Sequence, residues 1–189
     1  MQKLSNEIVE LVPINESHIV GLFEAAQYPE IWTHMSVELK THEDVKKYVI
    51  DGMEKAKKGT DFPFVIFEKS TNRIVGSTSY MDISTVHKRL EIGSTWLTPS
   101  VWRSAVNTNC KFLLLQYGFE QLDLHRIQIK TGHENIQSQK AIERLGAVKE
   151  GVLRNHMIRK EGNIRHTVMY SITNEEWPLI KERFLNELL

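Results

Sequence analysis

Residues 91–108 read Glu91-Ile-Gly-Ser-Thr-Trp-Leu-Thr-Pro-Ser-Val-Trp-Arg-Ser-Ala-Val-Asn-Thr108. The first part has the apolar, β-branched character of a strand, ending a run that starts near residue 87. Thr98-Pro-Ser100 breaks it, and a long amphipathic helix follows over 105–121, with Val106, Cys110, Leu113, Leu114 and Tyr117 on one stripe. Residues 126–130, with Ile127 and Ile129, form the next strand. A strand-helix-strand run of this kind needs a crossover. The helix start also has chemical interest. Free backbone N–H groups and the positive end of the helix dipole suit an anion such as a pyrophosphate, and Arg103 could add a charge-assisted contact. Taken alone, with no glycine in the loop, the segment is better explained as an ordinary junction without a ligand.

On the N-terminal side, residues 8–12 read as a strand. Asn15-Glu-Ser17 offers a helix start, with Ile19, Leu22 and Phe23 on one face, and Pro29 interrupts. Thr41-His-Glu-Asp44 is a second start signal with acids in the first turn, and that helix ends near Lys58-Gly59. Strands are expected at 62–67 and 74–82, with a turn at Thr71-Asn-Arg73. On the C-terminal side a helix spans 135–145 with Gly146 as its cap. Strands follow at 147–158 and 165–172 around a Lys160-Glu-Gly-Asn163 turn, and Asn174-Glu-Glu-Trp177 opens a final helix. The expected fold is α+β: one domain over 1–189, built on a mixed, mostly antiparallel central sheet of about six or seven strands flanked by helices.

Composition narrows the function. The 24 basic and 24 acidic residues cancel, which argues against bulk attraction to nucleic acid or to an anionic membrane. Cys110 is the sole cysteine, so neither an intrachain disulfide nor a cysteine zinc site is possible, and the reducing cytoplasm is the expected compartment. No signal peptide or membrane span is expected. The histidines show no metal spacing. Trp32, Trp96, Trp102 and Trp177 read as packing residues, while Trp32 and Tyr28 could also line an acceptor site. The cluster Lys55, Lys57 and Lys58 reads as a solvated helix end.

A second stretch is Thr131-Gly-His-Glu-Asn-Ile-Gln-Ser-Gln-Lys-Ala-Ile-Glu-Arg-Leu-Gly-Ala147. Asn135 and Ser138 share one face near a helix start. Singly, Asn135 is a plain N-cap and Ser138 a solvated hydroxyl. Together with residues 91–108, and with Gly118-Phe119-Glu120, Leu124-His-Arg126, Glu150-Gly-Val-Leu-Arg154 and Arg165-His-Thr-Val-Met-Tyr-Ser171, this stretch resembles the GNAT superfamily of acyl-CoA-dependent N-acyltransferases. The likeness runs from Ile8 through Trp177, and it is closest to the branch of ribosomal-protein alanine/serine N-acetyltransferases.

The resemblance implies acetyl-CoA as co-substrate and no metal. In the family, the strand ending at Trp96 and Leu97 splays from its neighbour and pairs with the pantetheine arm. The following loop cradles the pyrophosphate. Carried over, the binding positions are Trp96, Leu97, Arg103, Ser104, Ala105, Val106, Asn107 and Thr108, with Asn135. The usual loop pattern, Gln/Arg-x-x-Gly-x-Gly/Ala, here has Trp102, Ala105 and Asn107, and weaker CoA binding is a consequence to test. The chemistry is direct attack of an amine on the thioester carbonyl. The tyrosine acid of many members is replaced by Ile142, so Ser138 is the expected partner of the leaving thiolate. The base is open. The branch pattern has a Glu at Met157. His156 is adjacent, with a suitable intrinsic pKa, although strand alternation points it the other way. Glu91 is the other candidate, and it could equally be a salt-bridged strand residue.

The expected acceptor is a primary amine, on a protein N-terminus or a small molecule, with no nucleic acid or membrane partner and a monomeric or homodimeric state. The contrasting class is a non-catalytic CoA-binding sensor or interaction protein.

Overall fold

The computed structural model describes residues 1–159 and 162–189, so Lys160 and Glu161 of the expected turn lie outside it. Its strands are β1 (Leu4–Ser5), β2 (Val9–Pro13), β3 (Phe62–Glu68), β4 (Arg73–Ser84), β5 (Arg89–Leu97), β6 (Arg126–Gly132), β7 (Val148–Ile158) and β8 (Ile164–Thr173). They form one sheet in the order β1-β2-β3-β4-β5-β6-β8-β7. Every pairing is antiparallel except β5 with β6. The sheet has eight strands among the described residues, not six or seven. The extra one, β1, is two residues long and pairs Leu4 with Leu11, too short a segment to show a periodicity.

Helices α1 (Ile19–Ala25) and α2 (His42–Lys58) cover one face; α3 (Ala105–Glu120), α4 (Ile136–Arg144) and α5 (Trp177–Arg183) cover the other. Strand alternation divides the core between them. Phe64 and Ile66 of β3 pack with α3, whereas Val65 packs with Leu22, Val45 and Val49 of α1 and α2. The start signal of α2 is a capping box: Thr41 Oγ1 accepts from Asp44 N at 3.1 Å, and the Asp44 carboxylate accepts from Thr41 N at 2.8 Å. Gly59 ends the helix at φ 73°. Among the described residues, no helix is long and apolar enough to cross a membrane.

The central helix differs from the expected stripe. Besides Val106, Cys110, Leu113 and Leu114, the residues Thr108, Asn109, Lys111, Phe112, Leu115 and Phe119 are buried, so α3 is enclosed nearly all round. It lies between the sheet and the layer formed by α5 and the C-terminal turn, where Phe112 packs against Trp177 and Phe184. Tyr80 of β4 donates its hydroxyl to Leu114 O, tying the helix to the sheet.

Candidate functional site

The strands β5 and β6 run together for only three pairs: Arg89 with Arg126, Leu90 with Ile127, and Glu91 with Gln128. Beyond Glu91 they part. β5 continues along β4 to Leu97, and β6 continues along β8 to Gly132, so each keeps one edge free facing a V-shaped gap. The cause lies in β5. Its register against β4 slips between Gly93 and Trp96, where Ser94 takes φ 46°. This bulge adds a residue and bends the strand. It also sets the side chains: Trp96 faces the α1–α2 layer, against Trp32, while Thr95 faces α3.

The loop that closes the V is held from within. Trp102 Nε1 donates to Leu97 O at 2.8 Å. Ser104 caps α3: its hydroxyl donates to Val101 O at 2.7 Å and accepts from Val106 N at 3.2 Å. The left-handed conformation in this loop belongs to Arg103, at φ 61°. Ala105 and Asn107 lie inside the first turn of the helix. The missing glycines are therefore not needed for backbone conformation here. Arg103, Ser104 and Ala105 are exposed at the mouth of the V, whereas the side chains of Val106 and Thr108 point inward. Thr108 accepts a hydrogen bond from Arg144 Nη2 at 2.7 Å, linking α3 to α4.

Asn135 caps α4, its Oδ1 accepting from Ser138 N at 3.0 Å. That places the half-buried Ser138 in the first turn of a helix that follows directly on β6. Glu91 is buried at the apex of the V. Its Oε2 lies 2.7 Å from Lys130 Nζ and accepts from Gln128 Nε2 at 3.3 Å. Gly93 preserves room for it, since a Cβ there would come within 2.9 Å of Glu91 Oε1.

His156 is where simple alternation fails. The β7–β8 register slips between Leu153 and Met157, and Asn155 takes φ 51°. This bulge brings His156 Nδ1 to 3.0 Å from Thr167 Oγ1, so the ring does not turn away as alternation predicts. Asn155 N donates to His166 Nδ1 at 2.9 Å, and the His166 ring packs at a tilt of 55° against His133 with centroids 4.6 Å apart. The bulge leaves a shallow groove lined by Val152, Leu153, Arg154, Asn155, His156 and His166. Trp32 is buried, its Nε1 donating to Ala26 O at 3.0 Å, and Tyr28 is exposed. Ile142 is a core residue.

Sequence reasoning missed Lys111. It is buried, and its amine donates to Thr95 Oγ1 at 2.7 Å, which in turn meets Thr78 Oγ1 at 2.8 Å. Burial lowers its pKa to about 8 and raises that of the neighbouring Cys110 thiol to about 12. A lysine among apolar helix positions was the available signal.

A strand-helix-strand crossover whose parallel strands separate beyond an acidic residue, with a helix start at the mouth, defines a class: mixed-sheet proteins with a V-shaped opening between two parallel strands. The comparisons give that class its family. Residues 9–148 match the acetyltransferase (GNAT) domain, and the chain belongs to that family. It is 31% identical over 114 residues to the uncharacterized N-acetyltransferase p20 of Bacillus licheniformis, a match covering 60% of this chain and 63% of that protein. The match thus spans about three fifths of that relative's length. To the ribosomal-protein-serine acetyltransferase of Escherichia coli (strain K12) it is 26% identical over 153 residues, 79% of this chain and 84% of that one. In structure it superposes on a GCN5-related N-acetyltransferase from Brucella melitensis with a TM-score of 0.91 at 27% identity, covering 99% of this chain and 85% of the other. An acetyltransferase of undetermined role from T. thermophilus gives 0.89 at 30% identity, with 100% and 98% coverage.

Proposed function

We propose that this protein is an N-acetyltransferase that passes an acetyl group from acetyl-CoA to a primary amine by direct attack. The observation that carries the reading is the parting of β5 from β6 beyond Glu91. The free edge of β5 suits an extended amide-bearing arm, which would add to it as a strand. The exposed start of α3, with Arg103 and Ser104, suits the pyrophosphate. Trp96 and Leu97 contribute backbone groups, and Asn135 shapes the turn that presents Ser138.

In this reading the amine enters from the α1–α2 side of the sheet, where Glu91 lies. Glu91 takes the amine proton through water once the incoming ammonium or water has displaced Lys130 from it. The neutral nitrogen attacks the carbonyl carbon, and as the tetrahedral adduct collapses the C–S bond breaks, the second nitrogen proton passes to the departing sulfur, and the Ser138 hydroxyl holds that sulfur. His156, fixed on Thr167, is the alternative acceptor of the proton. One observation favours a non-catalytic CoA-binding protein instead: Glu91 is already satisfied by Lys130 and Gln128. The deciding experiment is calorimetric titration with acetyl-CoA beside desulfo-CoA, followed by an amine panel. Saturable binding with turnover supports the enzyme. Binding without turnover on any amine supports the non-catalytic reading, and no binding at millimolar ligand removes both.

A further inference from the structure

Cationic side chains gather on the α1–α2 face of β6 and β8. Register places Gln128 beside Ser171, Lys130 beside Met169 and Gly132 beside Thr167; Arg165, two residues on from Thr167, shares their face. A second arginine, Arg159, comes from the end of β7. The two guanidinium groups converge on Gly132. A Cβ built there would lie 3.4 Å from Arg165 Nε and 3.5 Å from Arg159 Nη2.

These arginines are only partly matched. Arg159 Nη2 forms an ion pair with Glu134 Oε2 at 2.7 Å. Among the described residues, the buried atoms Arg159 Nε and Arg165 Nε have no hydrogen-bond partner. Among the described residues, Arg165 has no carboxylate at ion-pairing distance. Its pKa is lowered by burial and by the like charge of Arg159, with Glu91 giving a partial offset. Lys130 is on the same face, and His133, His156 and His166 sit around the turn and the β7 bulge. Among the described residues, Glu91 and Glu134 are engaged by Lys130 and Arg159. Buried guanidinium N–H groups without acceptors are costly, and planar oxyanions are what they bind best.

We propose that the acceptor amine itself carries an anionic group, a carboxylate or a phosphate, which Arg165 and Arg159 bind beside Gly132. The inference rests on the acetyltransferase reading for the word acceptor, but the anion site stands on its own geometry. Glu91 at the apex then meets the amine, and the guanidinium pair orients the molecule by its other end.

Two measurements test this. First, the CoA-saturated protein is titrated by calorimetry with inorganic phosphate and with N-acetylglycine. Wild type is expected to bind one or both, Arg165→Gln to bind at least about 10-fold more weakly, and Glu134→Gln, which frees Arg159, to bind more tightly. Arg159→Gln serves as the second lesion should Arg165→Gln fold poorly. No saturable binding, or equal binding by all variants, overturns the proposal. If CoA itself does not bind, the acetyltransferase reading fails, and the same variants titrated with phosphate alone still decide the anion site. Second, kcat/KM is compared for phosphoethanolamine against ethanolamine and for glycine against glycinamide. A preference of about 30-fold or more for one charged member, erased in Arg165→Gln, is the expected result, and the pair that shows it tells phosphate from carboxylate. Equal or better turnover of the neutral amines overturns the proposal while leaving the acetyltransferase reading intact.

Discussion

Lys111 and Glu91 are both buried charged residues beside the V, and their partners separate their roles. Lys111 faces Thr95, Thr78 and Cys110 and has no carboxylate among the described residues. Its pKa falls from 10.5 to about 8, so the folded state holds this proton more weakly than the unfolded state. The cost is full below pH 8 and fades as the pH rises toward 10.5. From that difference, Lys111→Met should stabilise the protein by about 3 kcal/mol at pH 7 and by much less at pH 10. Urea denaturation at the two pH values checks this; a destabilised variant at pH 7 would show that the charge is compensated in the fold. Glu91 has a cation and an amide for partners and sits at the apex. Glu91→Gln should lower kcat by about 100-fold or more while leaving acetyl-CoA affinity unchanged, as expected for loss of a general base. A loss confined to KM would reassign it to positioning.

At the scale of elements, bulges do most to make the site. The slip at Ser94 in β5 opens the V, and the slip at 154–156 in β7 turns His156 onto Thr167. The tight contact between β4 and β5 supports the first. At Gly76 a Cβ would lie 2.1 Å from Trp96 O, a backbone atom that cannot swing away. Gly76→Ala should therefore force the strands apart and cost about 3 kcal/mol, visible as a lower urea midpoint together with weakened acetyl-CoA binding. The α3–α4 link is a milder test. Arg144→Met removes the donor to Thr108 and should cost about 1 kcal/mol of stability, read from the same denaturation curves.

For the molecule as a whole, ligand in the V would bridge β5, α3 and α4. At 100 times its dissociation constant, acetyl-CoA should raise stability by about 3 kcal/mol, a melting shift of several degrees in a thermal scan. Much of this architecture was legible beforehand. The apolar face of α1, the capping box at Thr41, the cap at Gly146 and the strand-helix-strand run over 88–130 are local patterns, and local patterns report local hydrogen bonding and burial directly. Glu91, Ser138, Asn135 and the loop at 102–108 could be singled out because they lie in short, ordered motifs. Other features could not be read in that way. β1 is too short to have a period. The bulges at Ser94 and Asn155 follow from how neighbouring strands slip. Lys111, Arg159 and Arg165 appear in sequence as ordinary charges; the burial of Lys111 arises only when α3 packs on β4 and β5, and the convergence of Arg159 and Arg165 only when β6, β7 and β8 are laid side by side. The sequence by itself determined most of the elements and their order, because periodicity and capping act within a few residues, and it pointed to the family through the resemblance of its short motifs. The tertiary structure alone decided which charges face the V and which go unpaired, because that depends on strand register, which joins residues far apart in the chain.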